Sequence, residues 1–153
     1  MGSDIRPGFA HSYDARIYYA DTDFSGVVYY GRYLEYLERG RSDLLRECGI
    51  THRDLLDEAR NPVGTPLAWV VRRIEIDYRG SARIEDEICV HTSVSEVRGA
   101  RLGMVQRITL GERTILDASV QAALITLSGK PVRLPTEWLE RFRSVAAQSG
   151  AAD

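Results

Sequence analysis

The sequence predicts an α+β domain in which one long helix lies against a five-stranded, mostly antiparallel sheet. Three observations carry that expectation. Residues 11–20 alternate between apolar and polar, the period of a half-buried strand. Residues 30–48 change to a three- and four-residue spacing, which describes one side of a helix. Four more strand-like segments follow with no second long helix between them, a segregation that belongs to the α+β class. At 153 residues the chain is long enough for one domain with a real core. We expect that domain over residues 10–146, between flexible termini at 1–9 and 147–153.

In the first strand Tyr13, Ala15, Ile17 and Tyr19 share one face, and Ser12, Asp14 and Arg16 the other. In the helix Tyr33, Leu37, Gly40, Leu44 and Cys48 form the apolar stripe, joined by Leu34, Arg41 and Leu45. Gly49 is placed to end it. Gly40 weakens a helix by roughly 1 kcal/mol relative to alanine, so its place on the stripe predicts a close approach to the sheet. Thr51 caps a short helix over 52–59, stopped near Asn61-Pro62. Strands are expected over 67–79, 87–97, 103–110 and 113–127, divided by Gly80-Ser81, Arg98-Gly99-Ala100 and Gly111-Glu112. The last carries Leu116, Ala118, Val120, Ala122 and Leu124 on one face, and its small alanines are expected to receive Gly40. Pro135-Thr136-Glu137 opens a final helix through Val145, with Leu139, Phe142 and Val145 inward. An open sheet of this kind leaves an edge to be covered, and edge-to-edge pairing in a dimer would cover it.

Composition narrows the function classes. The chain is 44% hydrophobic and 27% charged with a net charge of −2, so no basic surface argues for nucleic acid. Its apolar runs are far short of a membrane span, and the polar leader after Met1 has no hydrophobic signal core. A cytoplasmic protein without an integral membrane segment is the expectation. Cys48 and Cys89 read as small core side chains, and His11, His52 and His91 are too scattered for a ligand set, so no metal is expected. Arg41 reads as structural, and Trp69 and Trp138 as packing residues.

The stretch Asp21-Thr22-Asp23-Phe24-Ser25-Gly26-Val27-Val28-Tyr29-Tyr30 sets two acids and a glycine between strand and helix. Two readings are open on spacing alone. In one, both acids simply cap and tighten the turn, as aspartates before helices do. Alternatively one holds the turn while the other faces a substrate beside the unpaired amides of the helix N-terminus, enclosed by the apolar Val27–Tyr30 run. Arg98 and Arg101, flanking Gly99-Ala100, are either a solvated hairpin tip or a cationic loop suited to phosphates.

The pattern Asp21-x-Asp23-x-x-Gly26-Val27-Val28-Tyr29-Tyr30, followed by Tyr33-Leu34 and Glu38-Arg39-Gly40-Arg41, resembles the hot-dog-fold acyl-CoA thioesterases. It is most similar to the 4-hydroxybenzoyl-CoA thioesterase family and its Tol-Pal-associated acyl-CoA thioesterase branch, across about residues 10–135. The resemblance implies a five-stranded sheet wrapped around a central helix and hydrolysis of acyl-CoA to free acid and coenzyme A, with no cofactor. It implies Asp23 as the catalytic carboxylate, acting as nucleophile or general base, and the Tyr30 backbone N–H as donor to the carbonyl oxygen. Gly26 and Val28 would line the substrate. Arg98 and Arg101 match the family's basic loop, whose cations contact the nucleotide, often across a subunit boundary of a homodimer or homotetramer. Two other readings bear on the same fold. A hot-dog dehydratase needs a histidine in the pocket, and none lies near Asp21–Tyr30. A non-catalytic acyl-CoA or acyl-carrier binding module would keep the basic loop without turnover.

Overall fold

The computed structural model describes residues 9–148, and the expected flexible termini fall almost wholly outside them. Its elements are β1 (His11–Arg16), α1 (Tyr33–Glu47), α2 (His52–Leu56), β2 (Leu67–Tyr78), β3 (Glu87–Arg98), β4 (Arg101–Leu110), β5 (Arg113–Thr126) and α3 (Thr136–Gln148). The five strands form one antiparallel sheet in the order β1-β3-β4-β5-β2, with α1 against its inner face. The expected class and architecture are those observed.

The β1 alternation holds through Ile17, and the strand then stops short of residue 20. The chain curls into a 3-10 turn over Tyr19–Asp21, because the Asp21 carboxylate accepts the Tyr18 N–H at 2.9 Å and the Asp21 N–H reaches the Tyr18 carbonyl. Tyr19, expected inward, is therefore exposed.

A second 3-10 turn, Tyr30–Arg32, leads into α1. The stripe of α1 buries Tyr33, Tyr36, Leu37, Gly40, Leu44 and Leu45. Leu34, expected on it, is largely exposed, and Tyr36 takes the opposite flank of the stripe, beside Asp21. The helix ends as expected at Gly49 (φ 79°), where the Gly49 N–H bonds the Arg46 carbonyl and the Ile50 N–H the Leu45 carbonyl. Those two bonds satisfy carbonyls that the helix itself leaves free.

Gly40 makes the expected close approach, but its partner strands differ. A Cβ there would lie 2.7 Å from Val90 Cγ1, 3.1 Å from Thr92 Oγ1 and 3.3 Å from Gln106 Nε2. The helix thus touches β3 and β4 at this point and not the alanines of β5. Gln106 fixes the contact: its buried amide donates to the Leu37 carbonyl and to Thr92 Oγ1, while its oxygen accepts from Arg41. Arg41 has the structural role expected of it.

Thr51 caps α2 through its Oγ1, which accepts the Asp54 N–H. The helix ends at Leu56 and not at residue 59, since the buried Asn61 amide gathers the carbonyls of Leu55, Asp57 and Thr65 into a loop. β4 starts at Arg101, two residues earlier than expected. Gly99 (φ 62°) lets the chain reverse in two residues, with Arg98 paired to Arg101. In α3, Trp138, Phe142 and Val145 are buried and Leu139 is half-buried.

Candidate active site

The two acids of the motif have different surroundings. Asp21 is committed to structure. Besides capping its own turn, it lies 3.6 Å from the Arg32 guanidinium, and its carbonyl accepts the Tyr29 N–H. Asp23 sits at the tip of a tight loop in which Thr22 bridges Val28, and the Asp23 N–H bonds the Val27 carbonyl. Gly26 (φ 85°) permits the reversal, and a Cβ there would meet nothing, so glycine is required for the backbone and not for space. The Val28 N–H to Ala82 and the Ile84 N–H to Gly26 stitch the loop to the segment before β3.

One oxygen of Asp23 accepts both the Ser25 hydroxyl and the Ser25 N–H, the latter at 2.8 Å. These bonds, the hydroxyl first, hold the Asp23 pKa below the usual carboxylate value. Its second oxygen makes no hydrogen bond among the described residues. Ser25 was not singled out from the sequence as a partner. The Asp-x-Ser spacing, which favours a local side-chain turn to the residue two on, is the clue that would have found it.

The Tyr30 N–H opens the 3-10 turn before α1, a position for which a helix supplies no acceptor. Its carbonyl is fixed from the far end of β2, where the Tyr78 hydroxyl donates to it at 3.1 Å and the two rings meet edge-on at 6.2 Å. Nothing in the sequence pattern linked residues 30 and 78, which are brought together only by the sheet order.

The Val27–Tyr30 run does not enclose the acids within one chain. Val28, read as a substrate contact, is buried in the core near Ile17 and Tyr33, while Phe24, Tyr29 and Tyr30 are exposed. The basic hairpin is also remote. The Asp23 loop is tied to the segment leading into β3, whereas Arg98 and Arg101 flank the turn at its other end. A strand of 12 residues spans about 35–40 Å. The histidines lie elsewhere: His11 bridges Asp43 and Glu47, His52 meets Ser42, and His91 meets Thr109 on the sheet.

The Thioesterase superfamily profile matches residues 25–116. The chain belongs to that family. The Acyl-CoA thioesterase YbgC of Haemophilus influenzae is 40% identical over 127 residues, 82% of this chain and 89% of the relative. The Acyl-CoA thioester hydrolase YbgC of Escherichia coli O157:H7 is 34% identical over 130 residues, 84% of this chain and 92% of that one. Among solved structures, a probable thioesterase from Bartonella henselae superposes with a TM-score of 0.78 at 46% identity, covering 82% of this chain and 98% of that chain. The family expected from the Asp21–Tyr30 motif is the family found.

Ser25→Ala removes the largest cause of the lowered Asp23 pKa. A group held low is ionised further into acid, so for a reaction that depends on ionised Asp23 the loss of this bond moves the acid limb of kcat/KM to higher pH; a pH profile of thiol release checks this.

Proposed function

We propose that this thioesterase hydrolyses acyl-CoA to a free acid and coenzyme A at Asp23. The supporting observation is an ionised carboxylate with one oxygen tied to Ser25 and the other free, on the loop that delivers the Tyr30 N–H to the start of α1. Attack by the carboxylate itself and activation of a water by it make the same demand on the site. In the first, an Asp23 oxygen bonds the acyl carbon, the C–S bond breaks to release the thiolate, and water cleaves the resulting anhydride. In the second, the carboxylate takes a proton from a water that attacks the same carbon, and the C–S bond breaks to release the thiolate, which takes that proton. In both, the carbonyl oxygen gains negative charge and accepts from the Tyr30 amide, which needs no particular side chain. Gly26 serves by its backbone, and so does Val28.

The active assembly in this reading is a homodimer paired along β2, in the cytoplasm. Of the two edge strands, β1 has 6 residues and β2 has 12, and Val70, Val71 and Tyr78 are exposed on β2. An antiparallel pair of β2 strands about a two-fold axis turns the partner end for end. Its basic hairpin then comes to the end of the sheet where this chain carries Asp23. The distance along β3 makes the partner's arginines, and not this chain's own, the candidates for the nucleotide phosphates.

Substituting Arg98 and Arg101 together by alanine is expected to raise KM for acyl-CoA about tenfold with kcat little changed, since phosphate contacts bind ground and transition state alike. Mixing that variant with Asp23→Asn after subunit exchange should restore activity, because each mixed dimer holds one site with both functions intact. Failure of the mixture to exceed its components would exclude the shared site.

A further inference from the structure

Three consecutive peptide groups run through the turn that carries the Tyr30 N–H, and each is held by a hydrogen bond. The first is held by the Tyr29 N–H, which donates to the Asp21 carbonyl at 3.2 Å. The second contains the Tyr30 N–H and is held through its own carbonyl, Tyr29 O, which accepts the Arg32 N–H at 2.8 Å. A peptide group is planar, so that bond also sets the direction of the amide. The third is held by Tyr78, whose hydroxyl donates to the Tyr30 carbonyl at 3.1 Å. None of these bonds uses the Tyr30 N–H itself. The first two run from backbone to backbone, and only the third is made by a side chain.

Tyr78 reaches this turn from a different element. It is the last residue of β2, where it pairs with Leu116 of β5. Its ring meets Tyr30 edge-on at 6.2 Å and lies 6.0 Å from the ring of buried Tyr33. Tyr33 is anchored in turn, since its hydroxyl accepts the Ala82 N–H at 2.9 Å. The sheet margin and the first turn of α1 thus hold the Tyr78 ring between them. Partial burial, and then the neighbouring Tyr30, push the Tyr78 hydroxyl above the usual phenol pKa. It keeps its proton and stays a donor through the neutral range.

Resting on the reading that the Tyr30 amide receives the thioester oxygen, we infer that Tyr78 is a positioning residue for hydrolysis, tying the oxyanion donor to the end of β2. An amide donor contributes most when it needs no reorientation as negative charge develops on the oxygen. Without the Tyr78 hydroxyl, the carbonyl that follows the donor loses its tie to the sheet, and the Tyr30 backbone dihedrals can relax. A misaligned donor weakens the transition state more than the ground state, whose carbonyl oxygen carries less charge. The loss should therefore fall on kcat and spare KM. The role asks nothing of the Tyr30 side chain.

The test is Tyr78→Phe in the full chain, which keeps the ring and removes the donor. Tyr78 is exposed, so the change opens no core cavity and the fold should persist. With the acyl-CoA that wild type turns over fastest, kcat is expected to fall about tenfold while KM stays within about twofold. A second readout needs no turnover. It is the infrared C=O stretch of a bound ketone analogue of that substrate, with a methylene in place of the thioester sulfur. The stretch should move to higher wavenumber in Tyr78→Phe, because the hydrogen bond to the oxygen weakens. Wild-type kcat in the variant, a loss carried by KM, or an unmoved carbonyl stretch overturns the inference. A lower melting temperature with both readouts unchanged overturns it too, since Tyr78 would then only stabilise the fold. Asp23→Asn separates this inference from the reading beneath it. Release that requires Asp23, with Tyr78→Phe silent in both readouts, removes the positioning role and keeps the catalytic reading. A carbonyl shift in Tyr78→Phe, with release that survives Asp23→Asn, does the reverse.

Discussion

Asp23→Asn is expected to lower acyl-CoA turnover by a hundred- to ten-thousand-fold, the range over which a positioned acid or base acts. The fold should survive. Asp23 is partly exposed, its backbone bonds to Val27 and Gly26 do not involve the side chain, and an asparagine oxygen still accepts from Ser25. The loss should fall on kcat, because the amide neither attacks the acyl carbon nor takes a proton from water. Thiol release measured beside a thermal melt checks both halves. A variant with wild-type release would remove Asp23 from the mechanism, and one that fails to fold would give this aspartate a structural role like that of Asp21.

Gly40→Val is expected to cost about 3 kcal/mol, near the upper end for inserting methyl groups into a packed interface. Two effects compete at this position. Replacing a helical glycine gains some tenths of a kcal/mol in propensity. Against that, even the first added carbon would lie 2.7 Å from Val90 Cγ1, and Val90 is completely buried on a central strand. Two further methyls have no free direction, with Thr92 and Gln106 at 3.1 and 3.3 Å. The clash wins. In a chain of this size the melting temperature should fall by about 6–12 °C. Gly40→Ala should show the same sign with a smaller drop, and adding Val90→Ala to it should cost less than the sum of the two single changes. Because α1 begins at the loop that carries Asp23, displacing the helix should also lower kcat, so stability and turnover should fall together across this series.

How much of this was legible in the sequence depends on the range of the interaction. Element types were readable because periodicity is local: Tyr13-Ala15-Ile17 and Leu37-Gly40-Leu44 announce strand and helix without knowledge of what they pack on. Ends were misjudged where a side chain competes with the backbone, as at Asp21, which halts β1, and Asn61, which shortens α2. The pairing partner of Gly40 was wrong for a different reason. Small residues on β5 made it a plausible seat, but the strand order places β3 and β4 beneath the helix, and order is a property of the whole sheet. The site followed the same rule. That one acid of the pair holds the turn was readable in outline, and Asp21 is that acid, whereas Tyr78 beneath Tyr30 and the separation of Asp23 from its own Arg98 and Arg101 required the topology.

The long outer strand carries one more implication. Between Val71 and Arg73 its pairing with β5 slips by a residue, and residues 70–73 are all exposed. Such an irregularity twists a sheet margin and makes it a poorer template for indiscriminate growth, and adjacent cations repel stacked copies. A single self-matched union can tolerate what an endless fibril cannot. Heat resistance should therefore rise with protein concentration, and salt that screens Arg72 and Arg73 should hasten aggregation of dilute samples.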